Sequence, residues 1–279
     1  MQKFVYSLIL ILVVGLISGC GGESVEELHS KGRSAFEERD YREAVNCYRK
    51  AIDSETTDRD LLFDCALAYR RLARYDSSMY FLKRADLLHP GDLEINEQIR
   101  EVAISLGDWK NAVDAIRMLG EIKGTLEPYY EELSDLWLHR GQEGRAFYWA
   151  RKALKKNPDL RNFYVRTANW AAQFDSLGVA LELIDQAIER YGPEDEFLLN
   201  KAIFLARAGD FYGSEEILRA LEQSNPTPMI RLTLAGVLES QSNPAKKREA
   251  LAIYRAIKPS LPPESPIDSL ITSLEQELE

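Results

Sequence analysis

The sequence predicts an all-α solenoid of stacked helix–turn–helix units, and three observations carry that prediction. Small residues recur at a constant interval: Ala44, Ser78, Ala112, Ala146, Ala180 and Ser214 stand 34 residues apart. Turn residues fall at one phase of the same interval, in Asp40-Tyr41, Gly107-Asp108-Trp109, Gly141 and Gly209-Asp210-Phe211. Pro90, Pro158 and Pro226 fall at another phase, where they end the second helix of a unit. Such a period marks a repeat architecture, in which no unit buries its apolar face alone and stability comes from stacking.

The chain opens on an address rather than on the repeats. Residues 1–20 read MQKFVYSLILILVVGLISGC, with Lys3 ahead of an uncharged run of 14 residues from Phe4 to Ile17. A spanning helix needs about 20 apolar residues, so this run fits a secretory signal peptide better than a membrane span. Ile17-Ser18-Gly19-Cys20 resembles the bacterial lipoprotein box. That resemblance implies removal of residues 1–19, acylation of Cys20, and a membrane anchor worth about 0.8 kcal/mol per buried CH₂. Gly21, rather than Asp, follows the cysteine. By the enterobacterial sorting rule, this implies an outer-membrane lipoprotein facing the periplasm. Residues 20–24 are then a lipid-anchored tether, and four residues beyond the cysteine reach at most roughly 14 Å.

Residues 25–262 hold about seven repeats. A second column lies four residues beyond the first: Tyr48, Leu82, Ile116, Ala150, Ile184 and Leu218. A third reads Ala51, Ala85, Leu119, Ala153, Ala187 and Leu221. In the first half of each unit a mostly small column runs Gly32, Ala66, Arg100, Ser134, Ala168, Ala202 and Gly236. Small residues let paired helix axes approach closely, while the large apolar column packs on the next unit. These columns resemble the tetratricopeptide repeat, whose pattern includes Ala-x3-Phe and a closing Pro. Ala44-x3-Tyr48-x2-Ala51 is the clearest copy. The resemblance implies a right-handed superhelical solenoid with protein or peptide partners. Arg100, Leu119 and Leu221 depart from the pattern, so the third and sixth units are expected to pack less regularly.

In the seventh unit Ala250 and Tyr254 arrive two residues late, so Asn243-Pro244-Ala245-Lys246-Lys247 is expected to lengthen its turn. Residues 263–279 then read as a capping helix. Ser265 is the expected N-cap, with Pro266 in the first turn and Asp268 beyond it. Ile267, Leu270, Ile271, Leu274 and Leu278 form one apolar stripe.

Composition narrows the function classes. The chain of 279 residues carries 35 Lys+Arg against 45 Asp+Glu, a net charge of −10. That balance argues against a nucleic-acid binder, because phosphate neutralisation needs a broad basic face. Three cysteines are too few for a disulfide scaffold; Cys47 and Cys65 fall on helices expected to be neighbours, either bonded or, more simply, both buried thiols. His29, His89 and His139 stand apart, without H-E-x-x-H or Cys-x-x-Cys spacing, and neither a G-x-S-x-G elbow nor a phosphate loop occurs. No catalytic residue, metal site or cofactor is expected, and the protein is not expected to be an enzyme.

Two surfaces stand out as binding candidates. In tetratricopeptide proteins the first helices line the concave face where extended peptides bind. Projected here, that face carries Glu94, Glu97, Glu101, Glu131 and Asp135 early. Later units place Val165, Asn169, Leu199, Ile203, Thr233 and Val237 there, a partner groove unless these side chains pack on one another. The second surface is basic: Arg145, Arg151, Lys152, Lys155 and Lys156 lie in a segment rich in Trp, Phe and Tyr. It suits an anionic partner, or is simply a solvated helix face. The expected role is a membrane-anchored protein–protein interaction scaffold of the cell envelope, supporting assembly, secretion or pilus-type complexes. A receptor-like lipoprotein for a small molecule or glycan, or a recruiter of a cell-wall enzyme, are the alternatives.

Overall fold

The computed structural model describes residues 23–52, 57–262 and 264–279. Cys20 and the leader before it lie outside these residues. The described residues form fifteen α-helices, and they pair as the sequence columns require. In chain order the first three pairs are α1 (Val25–Glu37) with α2 (Tyr41–Ala51), α3 (Arg59–Arg71) with α4 (Tyr75–Leu88), and α5 (Leu93–Leu106) with α6 (Trp109–Lys123). The next four are α7 (Tyr130–His139) with α8 (Glu143–Lys156), α9 (Arg161–Gln173) with α10 (Leu177–Tyr191), α11 (Asp195–Arg207) with α12 (Phe211–Ser224), and α13 (Pro228–Glu239) with α14 (Pro244–Ile257). Helix α15 (Ile267–Leu278) packs on α14. The chain divides into two compact units, the second being Tyr130–Glu279. Just before the division, a short 3₁₀ turn at Glu127–Tyr129 occupies the phase where the other first helices begin.

The close approach within each pair is visible atom by atom. Residues twelve apart face each other across the pair; two of the serines there bond the opposite backbone, while the buried Ser214 hydroxyl finds no partner among the described residues. Ser78 Oγ donates to the Ala66 carbonyl at 2.8 Å, and Ser134 Oγ to that of Ala146 at 3.0 Å. At Gly32 there is no room for a side chain: an added Cβ would sit 2.3 Å from the buried Tyr48 ring. Arg100, the one large residue of that column, turns toward Glu97 and Glu101 and reaches Glu97 Oε2 at 3.2 Å. Leu119 and Leu221, expected to disturb their units, are instead fully buried core residues.

The turns repeat with the same cadence. The residue that closes each first helix is left-handed at Arg39, Ala73, Gly107, Gly141, Asp175 and Gly209, with φ between 55° and 87°. The next residue caps the second helix. Asp40, Asp108 and Asp210 accept a backbone N–H three residues on, whereas Arg74, Gln142 and Ser176 make no side-chain cap. Polar ties across neighbouring pairs keep nearly the same spacing. Arg59 opens α3 and reaches Asp92, the N-cap of α5, at 3.0 Å; Arg161 opens α9 and pairs with Glu194, the N-cap of α11.

The last pair corrects two expectations. Asn243 is an N-cap and Pro244 the first residue of α14, so residues 244–247 are helical rather than part of the turn; the turn itself, residues 240–243, is one residue longer than most of its counterparts. At the C-terminal cap Pro266, not Ser265, occupies the N-cap position, and it offers no side-chain bond. The apolar stripe of α15 is as expected: Ile267 and Leu274 are buried, and Leu270, Ile271 and Leu278 pack against the same core.

Candidate functional site

The first-helix face is partly filled by its own structure: α11 touches both α9 and α13, and Val165, Leu199, Ile203 and Thr233 are left half-buried. Val165 and Ile203 pack against the core of α8–α11, and Leu199 against that of α11–α15. Val237 is inside the latter core at 4% exposure, so it offers nothing to a partner. The Thr233 hydroxyl donates to the Met229 carbonyl of its own helix at 2.9 Å. Asn169 remains exposed. The acids are engaged too. Glu94 pairs with Arg59 at 2.6 Å, Glu101 with Arg70, and Asp135 with Arg166 at 2.9 Å. Glu97 accepts from Lys123 at 2.6 Å and from the Tyr129 hydroxyl at 3.0 Å. Burial pushes the Glu97 carboxyl up, but these bonds outweigh it and hold the group below its usual range.

The basic segment builds a different kind of place. Along α8 the residues Phe147, Tyr148, Arg151, Lys152 and Lys155 recur on one side of the helix. Opposite them on α10, Val179, Glu182, Leu183 and Gln186 recur at the i, i+3, i+4, i+7 spacing of one helical face. Tyr164, on the intervening α9, closes the bottom together with Leu154 and Pro158. The three helices border an open cavity of about 580 Å³, within the roughly 300–1,000 Å³ of small-molecule sites. Leu154, Tyr164 and Leu183 on its floor are buried, and Phe147 and Val179 are half-buried. The Tyr164 hydroxyl donates to the Pro158 carbonyl at 3.1 Å, which turns the aromatic ring rather than a polar atom toward the floor.

Arg145, Arg151 and Lys152 of this segment rest on rings rather than on carboxylates. The Lys152 ammonium lies 4.9 Å from the Tyr148 ring centre and 5.2 Å from that of Trp149, and Tyr148 holds it above its ordinary range. The Arg151 guanidinium lies 5.7 Å over Phe147, and Arg145 lies 4.3 Å over Trp137. Arg151, Lys152 and Lys155 make no ion pair among the described residues, although the chain carries ten more acids than bases. Glu182, the one acid of the lining, is hydrogen-bonded by Gln186 at 3.2 Å. Sequence reasoning found the basic wall but missed Val179, Glu182, Leu183 and Gln186. Their signal was an ordinary amphipathic stripe, indistinguishable from core until its partner helix was known.

The remaining titratable clusters are structural. Among the described residues no group of His, Cys, Asp and Glu could hold a metal ion. His29 Nε2 lies 2.9 Å from Asp64, and His89 Nε2 lies 3.1 Å from the Thr57 carbonyl. Cys47 and Cys65 are free, buried thiols, and burial pushes Cys65 up to about 12. No described helix is long and apolar enough to cross a membrane.

Comparison with known proteins agrees with this geometry. Residues 29–92 match the tetratricopeptide repeat family model. No curated protein matches the sequence. Among solved structures, the chain resembles one of Naa15/Naa10 bound to HypK-THB at a TM-score of 0.64 and 14% identity. The likeness covers 90% of this chain and 39% of that one, so this chain spans well under half of that neighbour's length. A tetratricopeptide repeat protein from Parabacteroides merdae ATCC 43184 aligns over 91% of this chain and 100% of its own, at 14% identity and a TM-score of 0.46. MamA from Desulfovibrio magneticus RS-1 aligns over 60% of this chain and 95% of its own, at 14% identity and a TM-score of 0.46. Its helices pair at a 34-residue cadence and residues 29–92 match the family model, so the chain has the fold of stacked tetratricopeptide-type helix–turn–helix repeats.

Proposed function

We propose that this chain is a protein–protein interaction scaffold that works at the bacterial cell envelope, anchored by acyl chains on Cys20, on the periplasmic face of the outer membrane. The observation that carries the reading is how soon the repeats begin after that cysteine. Helix α1 starts at Val25, and Ser24 with Glu27 forms a reciprocal capping box that fixes its first turn. A tether of four residues holds the first pair within roughly 14 Å of the lipid surface. The partners are envelope proteins that need holding near the membrane, in assembly, secretion or pilus-type complexes.

Two measurements in the native host test this. Radiolabelled palmitate is expected to enter the wild-type chain and not Cys20→Ser. In-cell crosslinking followed by mass spectrometry is expected to recover envelope assembly or secretion components. An unlabelled wild-type chain, or captured chains drawn only from the cytosol, would overturn the envelope assignment and leave the scaffold itself standing.

A further inference from the structure

We propose that the cavity between α8 and α10 is a binding site for an anionic amphiphile, a single acyl chain headed by a carboxylate or phosphate. The inference stands apart from the envelope reading and rests on the second helices rather than on the first-helix face. Two properties of the cavity select this ligand class. Its floor is apolar, formed by Leu154, Tyr164, Leu183, Phe147 and Val179, and it accepts a hydrocarbon tail without leaving a buried polar group unpaired. Its mouth is cationic on one wall, with Arg151, Lys152 and Lys155 a turn apart on α8. These three side chains find no carboxylate among the described residues, in a chain where acids are in excess. On the facing wall Glu182 is tied to Gln186, which leaves the α8 side as the attractive one for a head group. A cationic amphiphile would meet like charge there, and an uncharged one would gain only the tail contacts.

The same head-group chemistry comes from a free fatty acid or from a membrane phospholipid, and the experiment separates the two. The full chain carrying Cys20→Ser, which has no acyl chain of its own to compete, is titrated calorimetrically with dodecanoate below its micelle concentration. Dodecanol and dodecyltrimethylammonium serve as head-group controls and hexanoate as the tail control. One dodecanoate per chain is expected, with each control weaker by about tenfold or more. The double variant Arg151→Glu with Lys155→Glu changes two exposed side chains and should keep its helix content, yet lose dodecanoate by at least about tenfold. Flotation with phosphatidylcholine vesicles, with and without phosphatidylglycerol, supplies the second arm. Binding of dodecanoate identifies a free acyl acid as the source. Binding only to vesicles containing phosphatidylglycerol, abolished in the double variant, identifies a lipid head group. Equal affinity for all head groups, or binding unchanged by the charge reversal in both arms, would overturn the proposal.

Discussion

Glu215 offers the sharpest test of how the final helix pair is held. Its carboxylate is almost fully buried on α12. It accepts from Arg219 Nε at 2.8 Å, from Gln241 Nε2 at 2.8 Å, and from the Lys246 ammonium at the start of α14. Burial alone would raise its pKa, but the bonds from Gln241, Lys246 and Arg219 outweigh that and leave it at about 2, against an ordinary 4.5. Because the folded value is depressed, the stabilisation is fully present above the unfolded value near 4.5 and is lost as pH falls through about 2. A shift of that size corresponds to about 3 kcal/mol at neutral pH. Glu215→Gln keeps the shape and removes the charge, so it should cost about 2–3 kcal/mol in urea unfolding followed by helix circular dichroism. The gap between wild type and variant should close as the wild-type carboxyl protonates. A gap that stays constant across that acid range, or that is negligible at neutral pH, would refute the clamp.

Four further substitutions follow from the repeats. Gly32→Ala puts a methyl into the Tyr48 ring and should destabilise the first pair by about 1–3 kcal/mol, measured by chemical denaturation. Ala73→Gly relieves a left-handed alanine at φ 55°; after the entropy glycine gives the unfolded chain, a gain of about 0.5 kcal/mol should remain as a raised urea midpoint. Gln142→Asp supplies the side-chain cap that α8 lacks and should add about 1 kcal/mol, read as a higher melting temperature. Ala146→Arg forces a long side chain into a fully buried contact that also receives the Ser134 hydroxyl, and amide hydrogen exchange should show α7 and α8 losing protection.

How much of this was legible in the residues differs by feature. Columns such as Ala44 and Ala180 were plain because a close helix contact tolerates almost nothing else, so the constraint appears directly as residue type. Left-handed turns were half hidden. Glycine announces them at residues 107, 141 and 209, but Arg39, Ala73 and Asp175 hold the same conformation without the signal. The late Ala250 showed that the seventh unit was altered, yet only the position of Asn243 as an N-cap shows that residues 244–247 are helical and that the turn before them gains a single residue. For the binding surfaces, Val237 is covered where α11 and α13 touch, whereas Val165, Leu199, Ile203 and Thr233 stay half-buried and Asn169 exposed. Whether a half-apolar stripe is core or groove depends on that spacing between helices, which no single stripe encodes. The cavity was missed for the same reason: its two walls lie one period apart in the chain.

The left-handed positions at Gly141, Asp175 and Gly209 have a consequence for how such a chain can change in length. Each is a seam: the backbone leaves it in the same direction and with the same residue phase as it leaves the next. Excising residues 142–175 would join Gly141 to Ser176 and hand the following helix an unchanged starting geometry. Removing one residue fewer would rotate every downstream side chain by about 100° and turn its core face away. Length here is therefore quantised, and whole units can be gained or lost as cassettes where smaller insertions are confined to the far end. The seventh unit, with its two additional residues beside the terminal helix, sits where that freedom exists.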